Sequence, residues 1–188
     1  MHLRGIEIIN FIIAIIGIMS SVHMLLSYLT TTRKDRDTAT YMIFAAIFLL
    51  GYNICLGSLV LLEDYEGVLN NKYWALVLIL MGFGTYLYAI ITAFVVSRYI
   101  AFLLKPPEQV HKRIRVALTT MLVLFSAILF IAQHTGNLVQ IDEAGMYSEG
   151  RLSFVGHIMV AFYLVFNLFL LIRIRKNVSL SYAFILSC

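Results

Sequence analysis

The sequence predicts an all-α fold, a polytopic transmembrane helix bundle with five full spans, a partial sixth and its N-terminus outside. Three observations lead there. The 188 residues are 61% hydrophobic and 13% charged, with a mean hydropathy of +0.90, whereas soluble domains sit near half apolar and a quarter charged. The apolar residues fall in long runs, and about 20 of them at ~1.5 Å rise cross a hydrocarbon core of ~30 Å. The charges lie in short clusters between the runs, and the clusters alternate in sign along the chain.

Residues 1–188 read as a single membrane domain. The first span, 6–29, is too long for a signal-peptide core and no A-x-A-like cleavage site follows it. Arg33, Lys34 and Arg36 come after it, which places that end inside and the chain start outside. The second span, 41–62, returns to an acidic loop with Glu63, Asp64 and Glu66, where Tyr65, Tyr73 and Trp74 sit as interfacial rings do. The third, 74–104, carries no charge before Arg98 and is longer than a bilayer core requires, so it tilts or protrudes. Pro106 and Pro107 end it.

Lys105, Lys112, Arg113 and Arg115 assign the following loop to the inside, and the fourth span, 116–134, leads out. The next stretch is polar, with Asp142, Glu143 and Glu149; LVQI reads as a strand and EAG as a turn, a small hairpin over the outer face. The fifth span, 153–172, exits through Arg173, Arg175 and Lys176, and an apolar stretch at 180–188 starts a sixth. Ten of the 14 Lys and Arg then lie inside, against three outside, with Arg98 at a boundary. This is the pattern expected of a multi-pass membrane protein.

The isoelectric point of about 9.1 does not point to nucleic acid, because the basic residues flank apolar runs instead of forming a polar surface. Cys55 and Cys188 lie in apolar runs, with neither metal spacing nor a disulfide framework. No P-loop, GxSxG elbow, HExxH or paired intramembrane carboxylate is present, so no metal, cofactor or catalytic residue is expected.

Polar side chains inside spans are costly and therefore candidates for function. The candidate ligand-binding residues are His134, His157, Gln133, Tyr147, Tyr52, Asn53 and Tyr86. His134 and His157 end neighbouring spans on either side of the acidic loop, so with Gln133, Tyr147, Asp142 and Glu143 they are placed to line an outward pocket. The plain alternatives are interfacial histidines in headgroup water and ordinary interhelical hydrogen bonds. Gly51, Gly57, Gly82 and Gly84 offer close helix approach without forming a strict GxxxG pair.

A loop ending in Tyr147, Gly150, Arg151, Leu152 and Phe154, an aromatic fifth span, the RIRKN exit and the SYAFIL start of a sixth together resemble one known family. It is the N-terminal seven-helix membrane region of bacterial histidine kinases and diguanylate cyclases. The resemblance implies a multi-pass sensor of the bacterial inner (cytoplasmic) membrane that binds a small-molecule or lipidic cue outside and relays it to a cytoplasmic output domain. It further implies a homodimer formed through the region beyond the sixth span. The chain itself carries no phospho-accepting histidine segment, ATP-binding domain or GGDEF motif, so this fragment is not expected to be an enzyme. The competing expectation is the small substrate-binding membrane subunit of a vitamin-type transporter.

Overall fold

The structure, a computed structural model, describes residues 5–30, 36–63, 72–104, 106–141 and 147–174. It contains helices α1 (Gly5–Thr30), α2 (Arg36–Glu63), α3 (Lys72–Leu103), α4 (Glu108–His134) and α5 (Ser153–Ile174). Strands β1 (Val139–Ile141) and β2 (Tyr147–Glu149) lie between α4 and α5. All five helices are long and apolar enough to cross a membrane. In hydrocarbon, which offers no water to the backbone, a helix satisfies every N–H and C=O within its own segment. The apolar side chains turned outward fit that solvent: Met19 of α1 and Val165 of α5 are 69% and 65% exposed.

Two helices start earlier than hydrophobicity indicates. The second begins at Arg36, not near 41, and the fourth at Glu108, not near 116. The apolar run marks what enters the bilayer, but the helix continues through polar residues, which in α4 include the good helix formers Glu108, Gln109, Lys112 and Arg113. At α4, Pro107 sits at the N-cap with φ −51° and ψ 145° and Glu108 occupies the first turn, where a carboxylate meets the positive end of the helix dipole. The Pro107 carbonyl accepts from the His111 N–H at 2.9 Å. The expected sixth span at 180–188 lies outside the described residues.

Helix α3 is the hub, packing against α2, α4, α5 and β1, while α1 lies along α2. Small residues set the close contacts: Gly51 faces the Tyr88 ring, Gly84 the Cys55 sulfur and Gly57 the Ala14 methyl. The main core joins α3, α4 and α5 around Ile90, Leu118, Leu129 and Tyr163. At one end of the bundle Leu59 of α2 and Leu78 of α3 close around Ile141 of β1. That end is the hairpin end, and the opposite one, where α4 starts with Lys112, Arg113 and Arg115, is the basic end.

The hairpin is held by the way α4 stops. The Asn137 N–H donates to the Ala132 carbonyl and the Gly136 N–H to the Gln133 carbonyl, both at 2.9 Å. These are the paired bonds of a Schellman cap, with Gly136 in the left-handed region at φ 67°. The chain then leaves the helix into β1, which pairs antiparallel with β2 in the register Val139–Glu149, Gln140–Ser148 and Ile141–Tyr147. The Leu152 N–H returns to the Asn137 carbonyl at 2.8 Å, so α5 starts beside the end of α4.

Nothing lies near the Gly136 Cα that a methyl would touch, so Gly136→Ala tests backbone conformation alone. It is expected to lower stability by roughly 1–2 kcal/mol in reversible denaturation in mixed micelles. Gly136→Asn, which tolerates the left-handed region, should lose less.

Candidate functional site

A cleft of about 340 Å³ opens at the hairpin end between α2, α3 and α5. Its floor is Thr85, Tyr86 and Ala89 of α3, a single helical face at spacings of one and four residues. One wall is Tyr52, Leu56 and Leu59 of α2, again one face. The other wall is α5, where Gly156, His157, Val160, Ala161 and Leu164 follow each other turn by turn, and Glu149 at the end of β2 closes the rim. The cleft exists because α2 and α5 both pack on α3 and leave the space between them open.

The site is amphiphilic. Tyr52, Tyr86, His157 and Glu149 bring phenol, imidazole and carboxylate groups, and Leu56, Leu59, Val160 and Leu164 supply an apolar lining. The His157 ring meets the Tyr86 ring edge-on, with centroids 5.7 Å apart and planes at 88°. The Thr85 hydroxyl donates to the Met81 carbonyl at 2.9 Å, which leaves its oxygen lone pairs available to a guest. A carboxylate on the rim above aromatic hydroxyls favours hydrogen-bond donors or cations in the ligand's polar part. The lining below favours carbon.

Gly156 permits this geometry. A methyl group at its Cα would overlap the Tyr86 ring, so a larger residue displaces either the ring or α5. The ring is 8% exposed and forms part of the α3–α4–α5 core. Floor and wall are therefore fixed by the same contact.

Of the seven expected site residues, Tyr52, Tyr86 and His157 meet in this cleft. Asn53 does not: it is 4% exposed, its amide donates to the Leu49 carbonyl at 2.7 Å, and its side chain fills the space above Gly17 of α1. One residue along a helix turns about a quarter circle, so Tyr52 and Asn53 serve different seams. Gln133 and His134 are also apart from the cleft. The Gln133 amide reaches the Val139 carbonyl at 3.4 Å and braces β1 on the end of α4, while His134 is exposed. The expected outward pocket uniting His134 with His157 is thus replaced by one that pairs His157 with Tyr86. Tyr147 pairs with Ile141 in the hairpin, and Asp142 and Glu143 lie outside the described residues.

Sequence reasoning singled out Thr85 only as one of several polar residues in the third span, and it missed Glu149 and the small residues Ala89, Gly156 and Ala161 as parts of one site. A signal existed in α5, where Gly156 and Ala161 flank His157 and Val160 on one helical face. Nothing in the sequence says which other helix that face meets. Among the described residues no three His, Cys, Asp or Glu side chains come together as a metal site. No protein-family model matches this chain, and neither a curated protein nor a solved structure matches it.

Gly156→Ala is expected to cost about 1–3 kcal/mol, the usual range for overpacking. Adding Tyr86→Ala makes room for the methyl, so the double variant should be less destabilised than the sum of the two. Denaturation of all four proteins in one detergent measures that coupling. Full additivity contradicts the contact.

Proposed function

We propose that this chain is the membrane sensor region of a bacterial signal-transduction protein, with the three-helix cleft as the place where its cue binds. The observation that carries this reading is the convergence of Tyr52, Tyr86, His157 and Glu149 on one partly apolar cavity at the hairpin end. A cleft that opens between helices at the membrane boundary suits a small amphiphilic molecule. Because α2 and α5 each lean on α3 with the cleft between them, a ligand that favours one spacing of these helices biases the bundle toward it. Such a bias requires different binding free energies in the two arrangements. Helix α3 then connects the cleft floor at Thr85 to the basic end at Leu103.

In this reading the N-terminus and the hairpin face outward and the basic end faces the cytoplasm. The support is the charge distribution, with ten of 14 Lys and Arg at the basic end and its loops. The chain crosses the cytoplasmic membrane through its five long apolar helices and passes its state to a cytoplasmic output module. In this reading the bundle binds and relays without catalysis of its own.

Sidedness is tested in a background with Cys55 and Cys188 replaced by Ala. Ser148→Cys in intact cells should react with a membrane-impermeant maleimide, and Gln109→Cys should react only after lysis. The reverse pattern inverts the topology.

Binding is tested by a thermal-shift screen of purified protein against amphiphiles and small metabolites. A hit that acts through the cleft should lose its stabilisation in Ala161→Trp, which fills the space, and weaken in His157→Ala. A hit indifferent to both changes binds elsewhere and removes the basis of the proposal. The reading frame past codon 188 then separates the classes: a kinase or GGDEF domain fits a sensor, whereas a completed sixth helix and a stop codon beside transporter ATPase genes fits the transporter subunit.

A further inference from the structure

Arg98 is the one charged residue in the apolar span Tyr73–Leu103. An ionised group in such a segment normally has a partner, because hydrocarbon does not solvate it. No carboxylate whose side chain the structure describes pairs with Arg98. The side chain is half-buried and sits in a groove of about 220 Å³ between α2 and α3, near the basic end, lined with Tyr41, Phe44, Phe94 and Val95. Its guanidinium carbon lies 5.9 Å from the centre of the Phe94 ring, close enough for a cation–π contact. That contact occupies one face of the guanidinium plane and leaves the N–H edge to acceptors other than the described side chains.

The groove is built and not incidental. Tyr41 packs against Tyr99 and Phe102, with centroids 6.3 Å and 5.6 Å away, so the α2 wall is anchored to the last turns of α3. Phe44 is 49% exposed and turns the outer lip of the groove toward the surroundings of the bundle. An occupant therefore needs an anionic group with two oxygens to accept from the guanidinium fork of Arg98, and hydrocarbon to lie along Phe44 and the neighbouring exposed Val96.

We infer that this groove holds the phosphate headgroup of an anionic phospholipid on Arg98, with the acyl chains running along the exposed faces of α2 and α3. Charge complementarity selects the anionic lipid, and the aromatic and aliphatic lining selects a lipid over a free anion. The basic residues on α4 are a useful contrast: Gln109, Lys112, Arg113, Val116 and Ala117 line only a shallow face of a single helix. They attract anionic surfaces in general, whereas the Arg98 groove has two walls and a fixed cation.

The test compares melting of the purified full chain in nanodiscs of phosphatidylglycerol and of phosphatidylcholine. Wild type should melt higher in phosphatidylglycerol. R98Q should lose most of that difference, R98K part of it, and the K112Q/R113Q variant should keep it. Inorganic phosphate or glycerol phosphate added in neutral detergent should not reproduce the gain, and if either does, the site is one for free anions and the lipid assignment fails. Equal melting of wild type in both lipids, together with a loss in both for D37N, would mean that Asp37, one turn before Tyr41 in sequence, neutralises Arg98, and overturns the proposal. A measurement on wild type stands beside R98Q and is independent of how that variant folds. Phosphatidylglycerol with a photoreactive group near the headgroup should crosslink to peptides containing Tyr41, Phe44 or Phe94. Crosslinks confined to the α4 peptide 109–117 refute the assignment.

Discussion

Close packing of α3 against its neighbours is the contact on which the rest of the bundle depends. Lipid tails are as apolar as leucine, so no hydrophobic force gathers helices within a bilayer, and shape-matched contact must do it. On α3 that contact takes a repeated form, a ring or sulfur set against a glycine: Tyr88 on Gly51, Cys55 on Gly84, Tyr86 on Gly156. Each lets two backbones approach while an aromatic or soft side chain fills the remaining gap. Loss of a glycine at any of them moves a helix, and with it either the α2 or the α5 wall of the cleft.

The polar groups within the spans divide into two kinds. Ser21, Asn53, Thr85 and Ser97 each donate back to the carbonyl four residues earlier, at 2.7, 2.7, 2.9 and 2.8 Å. That arrangement satisfies the donor locally and lets a polar residue sit in a helix at little cost. Thr92 Oγ1, Tyr163 OH and Asn167 Oδ1 are buried without a partner among the described residues. Tyr163 and Asn167 are one turn apart on α5, on a face adjoining the cleft wall at Gly156 and Val160. Unsatisfied polar atoms are expensive in the interior of a membrane protein, so the α3–α5 seam retains them at a cost that the packed core around Tyr163 offsets. The edge-on contact of Phe125 with Tyr163, at 5.7 Å and 89°, belongs to that core.

Parts of the site were legible in the sequence to different degrees. Tyr52, Tyr86 and His157 stood out because polar rings in apolar spans are conspicuous. Asn53 stood out equally, yet belongs to the α1–α2 seam, since neighbouring residues on a helix face different partners. His134 and His157 look like a pair because both flank the same loop. In the structure His157 instead lines the cleft beside Tyr86, and His134 is not among the residues of that cleft. Glu149 reached the cleft rim only through β2, and its position in sequence resembles any other acid of that loop.

The sequence by itself determined that the chain is helical, that five helices are long and apolar enough to cross a membrane, and that charge is segregated between the two ends. These follow from composition and period, which act locally: a segment without charge in hydrocarbon has to bond its own backbone. Only the tertiary structure decided that α3 is the hub, that the space between α2 and α5 is left open, and that Arg98 lies against Phe94 beside an aromatic groove. Helix rotation and neighbour choice depend on which glycine meets which ring across helices distant in sequence, and no local pattern records that.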